Sequence, residues 1–377
     1  MSVQKQKYLF CYLRTGGGHL APARSVAQFL SREHGELVEP VLVDGLVDAK
    51  KFAKYIIEDG YRILQASAKW YYEFLYATNK FLPIGYFNVF AANYFIKPYI
   101  KKRIQEEQPS TIVIFHFFLI MPVYQVLKEL GLNIPIVTVV TDPYTAHPLW
   151  FQRKQQQFIL FSERLKKHCL KRGISEKNLN VFPFIIDEKF SSPLSSEQVA
   201  AVRSRFGFDL NKKLILIIGG GDGIPHGKTI LHYLLSNSLD AQIAIVCGKN
   251  KQLYNEAMIL KKEFPELIVF GFVDFVYDLL NASDIVVTKC GASTIMEILM
   301  MKKIPVIIDY LWEQELGNME FVRDNQLGIF ERNITKLPGI IKELISNEHQ
   351  YKKFQSNIEQ MKLRNGTTEV GKFLLTV

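Results

Sequence analysis

Short, unbroken apolar runs recur from one end of this chain to the other, each separated from the next by a segment of helical character. Lys7–Leu13, Leu37–Val43, Thr111–Phe115, Ile134–Val140 and Gln157–Phe161 read this way in the first half. Leu214–Ile218, Ala241–Val246, Leu267–Phe270, Ile285–Thr288 and Val306–Ile308 do so in the second. A strand that is apolar at nearly every position leaves no face for water, so it belongs to a parallel sheet covered by helices on both sides. The fold class expected is α/β, with doubly wound, Rossmann-like parallel sheets. A chain of 377 residues is long enough for two such domains. The alternation pauses at Asp187–Gly207, where Ser191, Ser192, Pro193, Ser195 and Ser196 make a polar linker. An N-terminal domain is thus expected over 1–190 and a second over 191–350, with ligand in a crevice between them. The remaining stretch, 351–377, reads as helical and is expected to return to the first domain.

Composition narrows the setting. Hydrophobic residues make up 48% of the chain and charged ones 22%, which fits a folded domain and excludes a disordered one. Cys11, Cys169, Cys247 and Cys290 stand alone, with no paired spacing. Neither a disulfide framework nor a zinc site is implied, and a reducing, cytoplasmic setting is expected. The apolar stretch Tyr8–Leu13 is too short for a secretory signal. Ser110–Leu127 approaches membrane-spanning length but contains His116, Pro122 and Gln125, so it reads as a buried strand followed by a helix.

The net charge of +9 fits nucleic acid, an anionic membrane or an anionic substrate, and its distribution must decide. Between Asp48 and Arg103 there are fifteen aromatic residues, with ten Lys/Arg against four Asp/Glu. Trp70, Tyr71, Tyr72, Phe74, Tyr76, Phe81, Phe87, Phe90 and Phe95 are among them. Aromatic and basic residues together suit a surface that dips into anionic lipid headgroups. The same residues would equally pack inside a helical insertion, and different faces can do both. Single-stranded nucleic acid is the weaker fit, and no nucleic-acid partner is expected.

Three glycine turns follow strands. In Arg14-Thr15-Gly16-Gly17-Gly18-His19, glycines permit close backbone approach and the following helix offers amides to an anion. Gly16, Gly18 and Ala21 also satisfy a dinucleotide fingerprint, with Asp44 ending the next strand. His19 is either a first-turn helix residue or a base that takes a proton from an acceptor hydroxyl, since imidazole titrates near neutral pH. In Gly219-Gly220-Gly221-Asp222-Gly223, the later Gly227-Lys228-Thr229 suggests a phosphate-binding P-loop, but the required glycine falls on Asp222. A glycine turn facing a diphosphate, or a purely structural tight turn, remains. In Thr288-Lys289-Cys290-Gly291-Ala292-Ser293-Thr294-Ile295-Met296-Glu297, the pair Thr294 and Glu297 could form a helix capping box. Alternatively Glu297 could hold both hydroxyls of a ribose.

These blocks, in this order, resemble one family of glycosyltransferases. It includes plant monogalactosyldiacylglycerol synthase, bacterial diacylglycerol glucosyltransferases and, more distantly, the peptidoglycan GlcNAc transferase. The likeness is strongest in Val246-Cys247-Gly248-Lys249-Asn250, in Gly271-Phe272-Val273, and from Asp284 to Asn318, including Pro305, Gln314, Glu315 and Gly317. Gly16–His19, Val140-Thr141-Asp142 and the group His147, Pro148, Trp150 and Phe151 match the glycerolipid branch. The resemblance implies a GT-B fold and inverting transfer of a hexose from a UDP-sugar to a lipid hydroxyl, with diacylglycerol as acceptor and no metal or other cofactor. It implies that Glu297 binds the ribose, Phe272 and Val273 cradle uracil, and Gln314 and Asn318 read sugar hydroxyls. Gly220, Gly221, Gly248, Gly291, Ala292, Ser293 and Thr294 would complete the UDP-sugar site. His19 is implied as the base, with Asp142 a second candidate, and Gly17, Gly18, His147 and Trp150 would lie on the acceptor side. A peripheral association with an anionic membrane follows. A non-lipid acceptor, a dinucleotide-dependent oxidoreductase and a non-catalytic membrane-binding module are the competing readings, and the sugar itself is not legible.

Overall fold

The computed structural model describes residues 5–14, 17–48, 60, 69–80 and 82–377, in two units: 1–188 with 365–377, and 189–364. The first unit is built on strands β1 (Gln6–Tyr12), β2 (Val38–Asp44), β3 (Thr111–Ile114), β4 (Ile136–Val139), β5 (Gln157–Leu160) and β6 (Leu179–Val181). All pair in parallel, in the order β2-β1-β3-β4-β5-β6. Described helices between them are α1 (Gly17–His34), α2 (Lys69–Asn79), α3 (Leu82–Glu107), α4 (Ile120–Leu130) and α5 (Glu163–Lys171). The stretch from Ser110 to Leu127 divides into β3 and most of α4, as its mixture of β-branched residues and proline predicts. No helix among the described residues is long and apolar enough to cross a membrane.

Chain order departs from spatial order between β1 and β3: β2 lies on one side of β1 and β3 on the other. Loops leaving two such strands turn to opposite faces and open a crevice at their carboxyl ends, where ligands bind in sheets of this kind. The loop after β1 carries the first glycine turn and the loop after β3 carries His116.

The second unit repeats the plan with β7 (Lys213–Ile218), β8 (Ala241–Val246), β9 (Ile268–Phe270), β10 (Ile285–Lys289), β11 (Ile304–Asp309) and β12 (Ile329–Phe330). Their order is β12-β11-β10-β7-β8-β9, so the reversal falls between β7 and β10. The second and third glycine turns follow those two strands. Covering helices are α6 (Ser196–Phe206), α7 (Gly227–Leu235), α8 (Lys251–Glu263), α9 (Val276–Ala282), α10 (Ala292–Met300), α11 (Leu316–Asp324), α12 (Leu337–Ser346) and α13 (Glu348–Gln360).

The return to the first unit is shorter than the reading of 351–377. Helix α13 stays in the second unit, where Tyr351 and Ile358 join the hydrophobic core. Only α14 (Thr367–Leu374) lies in the first, packed on α1. Gly371 makes that packing possible, because a Cβ there would stand 2.4 Å from the Phe29 ring. Gly366 N donates to Phe184 O over 3.0 Å, and Tyr8 Oη donates to Leu374 O over 3.1 Å.

At the opposite end of the second sheet one carboxylate gathers several elements. Asp284, just before β10, accepts from Arg203 Nη2 of α6 (2.7 Å), Lys213 Nζ (3.1 Å) and the Leu214 amide (2.9 Å). Burial works against its charge, but the Leu214 amide, Lys213 and Arg203 outweigh it and hold the carboxyl below its ordinary range. Asp284 and Arg203 are only 18% and 12% exposed. Removing the carboxylate charge would leave a nearly buried guanidinium bonded to the Ala282, Asp209 and Lys212 carbonyls but without its counter-ion, a loss of about 3 kcal/mol. We therefore expect Asp284→Asn to lower the urea midpoint of the second unit's transition, with the deficit shrinking as acid protonates the wild-type carboxyl. An unchanged midpoint would count against the hub.

Candidate active site

In the first unit, α1 begins at Gly17 at the described end of the first glycine turn, and Thr15 and Gly16 lie outside the described residues. Gly18 faces open space: a Cβ there would meet nothing within 4 Å. His19 lies in the first turn of α1, yet it is buried and tied to two other strand ends. Its Nδ1 is 2.8 Å from the carbonyl oxygen of Phe115, just after β3, and 2.9 Å from Thr141 Oγ1, just after β4. A carbonyl only accepts, so Nδ1 carries the hydrogen and Nε2 carries the lone pair. Burial pushes the imidazole pKa down to about 4, partly opposed by the Phe115 carbonyl. The ring is therefore neutral at physiological pH, with one nitrogen able to accept a proton.

Aromatic rings pack around it. The His116 ring meets that of His19 edge to face at 4.5 Å, and burial beside His19 holds His116 well below its ordinary pKa. Trp150 is 6.2 Å from His19 and fully buried. Its Nε1 donates to Asp142 Oδ2 over 2.8 Å. His147 is buried too: its Nδ1 accepts from the Leu149 amide, starting the 3₁₀ turn Pro148–Phe151, and its ring stacks on Phe117. Trp150 and His147 were expected on the acceptor side, but at 0% and 2% exposure they offer an acceptor no surface. They hold the loop that carries Thr141 and Asp142. The sequence alone assigns no role to Thr141, the Phe115 carbonyl or His116, although all three lie within two residues of a strand end.

In the second unit the loops after β7 and β8 interlock through backbone. Gly248 has φ +59°, and a Cβ on it would lie 2.4 Å from Gly221 O, while Gly223 has φ +78° and faces Cys247 O at 2.7 Å. The Lys249 amide donates to Gly221 O over 2.8 Å. Gly248 thus shapes the Gly219–Gly223 turn from beneath. Gly220 (φ +82°) and Gly221 stay on its open side, Gly221 with nothing within 4 Å of a Cβ. Phe272 is exposed, with Lys249 Nζ 5.3 Å from its ring, and Val273 beside it is half-buried.

The third turn excludes the capping-box reading of Glu297. Helix α10 starts at Ala292 with Gly291 as its N-cap, so Thr294 is its third residue and no capping box forms there. Glu297 sits half-buried in the second turn. The first-turn amides of Ala292, Ser293 and Thr294 precede the intrahelical ladder and face outward with the positive end of the helix dipole. Asn318 on α11 is 3% exposed; its Nδ2 donates to Cys290 O over 3.0 Å. Its Oδ1 is buried with no hydrogen-bond partner among the described residues, so it is an acceptor awaiting a donor. Gln314 is half-buried after a tight turn in which its amide donates to Trp312 O over 2.7 Å and Glu313 takes φ +60°. Glu315, quoted from sequence without a role, is buried, with Oε2 accepting from the Leu311 amide over 2.8 Å.

Each unit matches a known family. Residues 19–185 match the model described as monogalactosyldiacylglycerol (MGDG) synthase, and residues 214–370 match the glycosyltransferase family 28 C-terminal domain. The chain is 27% identical over 346 residues to a probable chloroplastic monogalactosyldiacylglycerol synthase of Nicotiana tabacum, covering 89% of this chain and 64% of that protein. It is 25% identical over 379 residues to the processive diacylglycerol beta-glucosyltransferase of Staphylococcus carnosus, covering 100% and 94% respectively. The chain thus spans less than two thirds of the length of that Nicotiana tabacum protein and of monogalactosyldiacylglycerol synthase 1 of Arabidopsis thaliana, 64% of each. In fold it matches MurG of Acinetobacter baumannii (TM-score 0.62, 15% identity, 99% of this chain and 100% of that one). It also matches Anabaena HepE in complex with UDP and glucose (TM-score 0.59, 15% identity, 98% of each chain). The fold is GT-B, and the chain resembles the monogalactosyldiacylglycerol synthase and diacylglycerol glucosyltransferase family over both units.

The depressed His19 pKa has a consequence for stability. An unfolded histidine binds its proton near pH 6.5, whereas folded His19 stays neutral down to about pH 4. Between these values the unfolded state holds more protons, so stability present above pH 6.5 is lost as pH falls toward 4. Nitrogen-detected NMR is expected to show His19 as the Nδ1–H tautomer, titrating near pH 4. Titration near 6.5 would mean the ring is not buried as described.

Proposed function

We propose that this chain transfers a hexose from a UDP-sugar to the hydroxyl of a diacylglycerol-type lipid at a membrane surface, inverting the anomeric carbon. The observation that carries the reading is His19: a buried, neutral imidazole of defined tautomer, inside the segment that matches the glycolipid synthase model. Its Nε2 takes the proton of the acceptor hydroxyl as the hydroxyl oxygen bonds to the sugar's anomeric carbon. The bond from that carbon to the diphosphate oxygen breaks, UDP departs with the electron pair, and an α-linked donor gives a β-glycoside. Asp142, whose Oδ2 accepts from the Trp150 indole, is the second candidate for the base and orients the loop. In the second unit the first-turn amides of α10 and the Gly220–Gly221 backbone receive the diphosphate. Glu297 takes the ribose, Phe272 and Val273 the uracil, and Asn318 Oδ1 and Gln314 the sugar hydroxyls. The UDP-bound HepE structure and the S. carnosus diacylglycerol glucosyltransferase support this choice of donor and acceptor.

The membrane part rests on α2 and α3. Trp70 and Phe74, four residues apart on α2, are 73% and 56% exposed, and Phe90 and Tyr94, four apart on α3, are 68% and 74% exposed. Each pair forms an apolar stripe on one helix face. Val89, Ala92, Ile96, Ile100 and Ile104 occupy the buried face of α3, so packing and exposure are divided between faces. Phe81 and the side chains of Tyr72 and Phe87 lie outside the described residues. Lys97, Lys102 and Arg103 on α3 pair with Glu129, Glu106 and Glu107, which tempers the charge available to lipid.

Loss of a general base costs about 10²–10⁴-fold in rate. We expect His19→Ala to lower glycolipid formation by that factor, measured by product mass with several UDP-hexoses and a mixed lipid extract. The wild-type rate should hold from pH 8 to about 5 and fall only below, because the neutral base persists down to about pH 4. Near-normal turnover in His19→Ala would remove it as the base. Replacing Trp70, Phe74, Phe90 and Tyr94 with serine should reduce sedimentation with anionic liposomes; full activity on a hydrophilic acceptor without liposome binding would refute the lipid acceptor.

A further inference from the structure

Lys289 is the last residue of β10, and neither the glycine turns nor the capping residues give it a task. The pairing of β10 with β11 shifts register between Thr288 and Lys289, and such an irregularity re-aims the side chain that follows it. The Lys289 chain runs beside two loops that the fold brings together at the reversal of strand order. Its Cε lies 3.9 Å from the place a Cβ would occupy on Gly220. Its Nζ is 3.6 Å from Glu315 Oε1, and that oxygen is 3.7 Å from the place of a Cβ on Gly291. One ammonium group therefore stands at the junction of the β7 turn, the β10 turn and the loop that carries Gln314. Glu315 is itself fixed, since its other oxygen accepts from the Leu311 amide.

We propose that Lys289 is the cationic contact for the donor's diphosphate, and that Glu315 is the positioning residue that holds it between the two glycine turns. The proposal rests on the donor reading of the second unit and deepens it. Helix and turn amides supply partial positive charge, whereas a diphosphate carries full negative charges that grow on the leaving oxygen as the bond to the sugar breaks. An ammonium group answers that growth more strongly than neutral donors do. A separation of 3.6 Å to Glu315 is an ion pair rather than a hydrogen bond, and at 29% exposure it is a weak tether. Phosphate oxygens arriving beside Gly220 would compete for Lys289 on favourable terms. Among the described residues, chain neighbours aside, the only atoms within 4 Å of a Cβ's place at Gly220 and Gly291 belong to Lys289 and Glu315, so the absence of side chains there leaves these two groups facing the turns.

The test compares UDP with uridine on the full chain, by calorimetry for UDP and ligand-observed NMR for uridine. Lys289→Met is expected to weaken UDP about ten- to a hundredfold, leave uridine binding unchanged and flatten the salt dependence of UDP binding. Lys289→Arg should recover most of the affinity. Glu315→Gln should weaken UDP in the wild-type background but add nothing in the Lys289→Met background, because it acts through the lysine. UDP affinity unchanged in Lys289→Met, or equal loss for UDP and uridine, would overturn the contact; additive effects would overturn the positioning role. A wild-type chain that binds neither ligand would sink the donor reading itself, a result distinct from either.

Discussion

Everything functional in this chain depends on a property of parallel strands: their carboxyl ends all point the same way, so every loop that leaves them emerges on one edge. A sheet of buried strands satisfies its own backbone, and its end loops carry the groups free to meet a ligand. In both units strand order reverses once, between β1 and β3 and between β7 and β10, and in each the reversal spreads two neighbouring loops to opposite faces. The first unit places His19 and the Phe115 carbonyl there. The second places Gly220 and Lys289 there. One topological device thus gathers a buried imidazole in one unit and open glycine backbone in the other.

The two units spend their special residues differently. In the second, glycines dominate because backbone must touch backbone: the turns after β7 and β8 interlock at distances no side chain allows at Gly219, Gly223 and Gly248. Such a loop is pinned from below and can keep its upper amides in place without a side-chain scaffold. The first unit instead uses aromatic packing. His116, Phe117, His147 and Trp150 form a contiguous set of rings around His19. That packing removes water, fixes the ring and lowers its proton affinity in one stroke.

Much of this was legible in the sequence, for reasons that differ by residue. Continuous apolar runs announced the parallel sheets, and glycine turns after strands announced the loops. The failed P-loop spacing at Asp222 was decisive from sequence, because that motif depends on backbone at one position. The cap at Thr294 was ambiguous, since only the true start of α10 tells whether Glu297 is spent on backbone. Trp150 and His147 are put on the acceptor side by resemblance alone, and only the structure shows them buried, with Trp150 Nε1 turned to Asp142. Lys289 and Glu315 stand in the quoted sequence blocks without a role, because their meaning lies in a strand irregularity and a partner twenty-six positions away. The end of the second unit was misjudged because α13 and α14 have similar helical patterns, and the core contacts of Tyr351 and Ile358 divide them.

The proposed role of His19 carries a constraint on the transition state. In that proposal a base whose pKa is pushed down to about 4 cannot ionise an alcohol in the ground state, so proton transfer would run with bond formation to the sugar. As the hydroxyl oxygen shares electrons with the anomeric carbon, its proton becomes acidic, and a weak base suffices late in the reaction. In the proposed reaction such timing would require the leaving diphosphate to depart early, so the groups that receive it would carry more of the catalysis than the base does. It also explains why no carboxylate need back the imidazole: its Nδ1 partners are a carbonyl and a hydroxyl, which hold the tautomer without raising the basicity as a charged partner would. The buried imidazole stays neutral across the physiological range. As the proposed base it would surrender rate enhancement by base strength, a loss to be offset at the opposite end of the breaking bond.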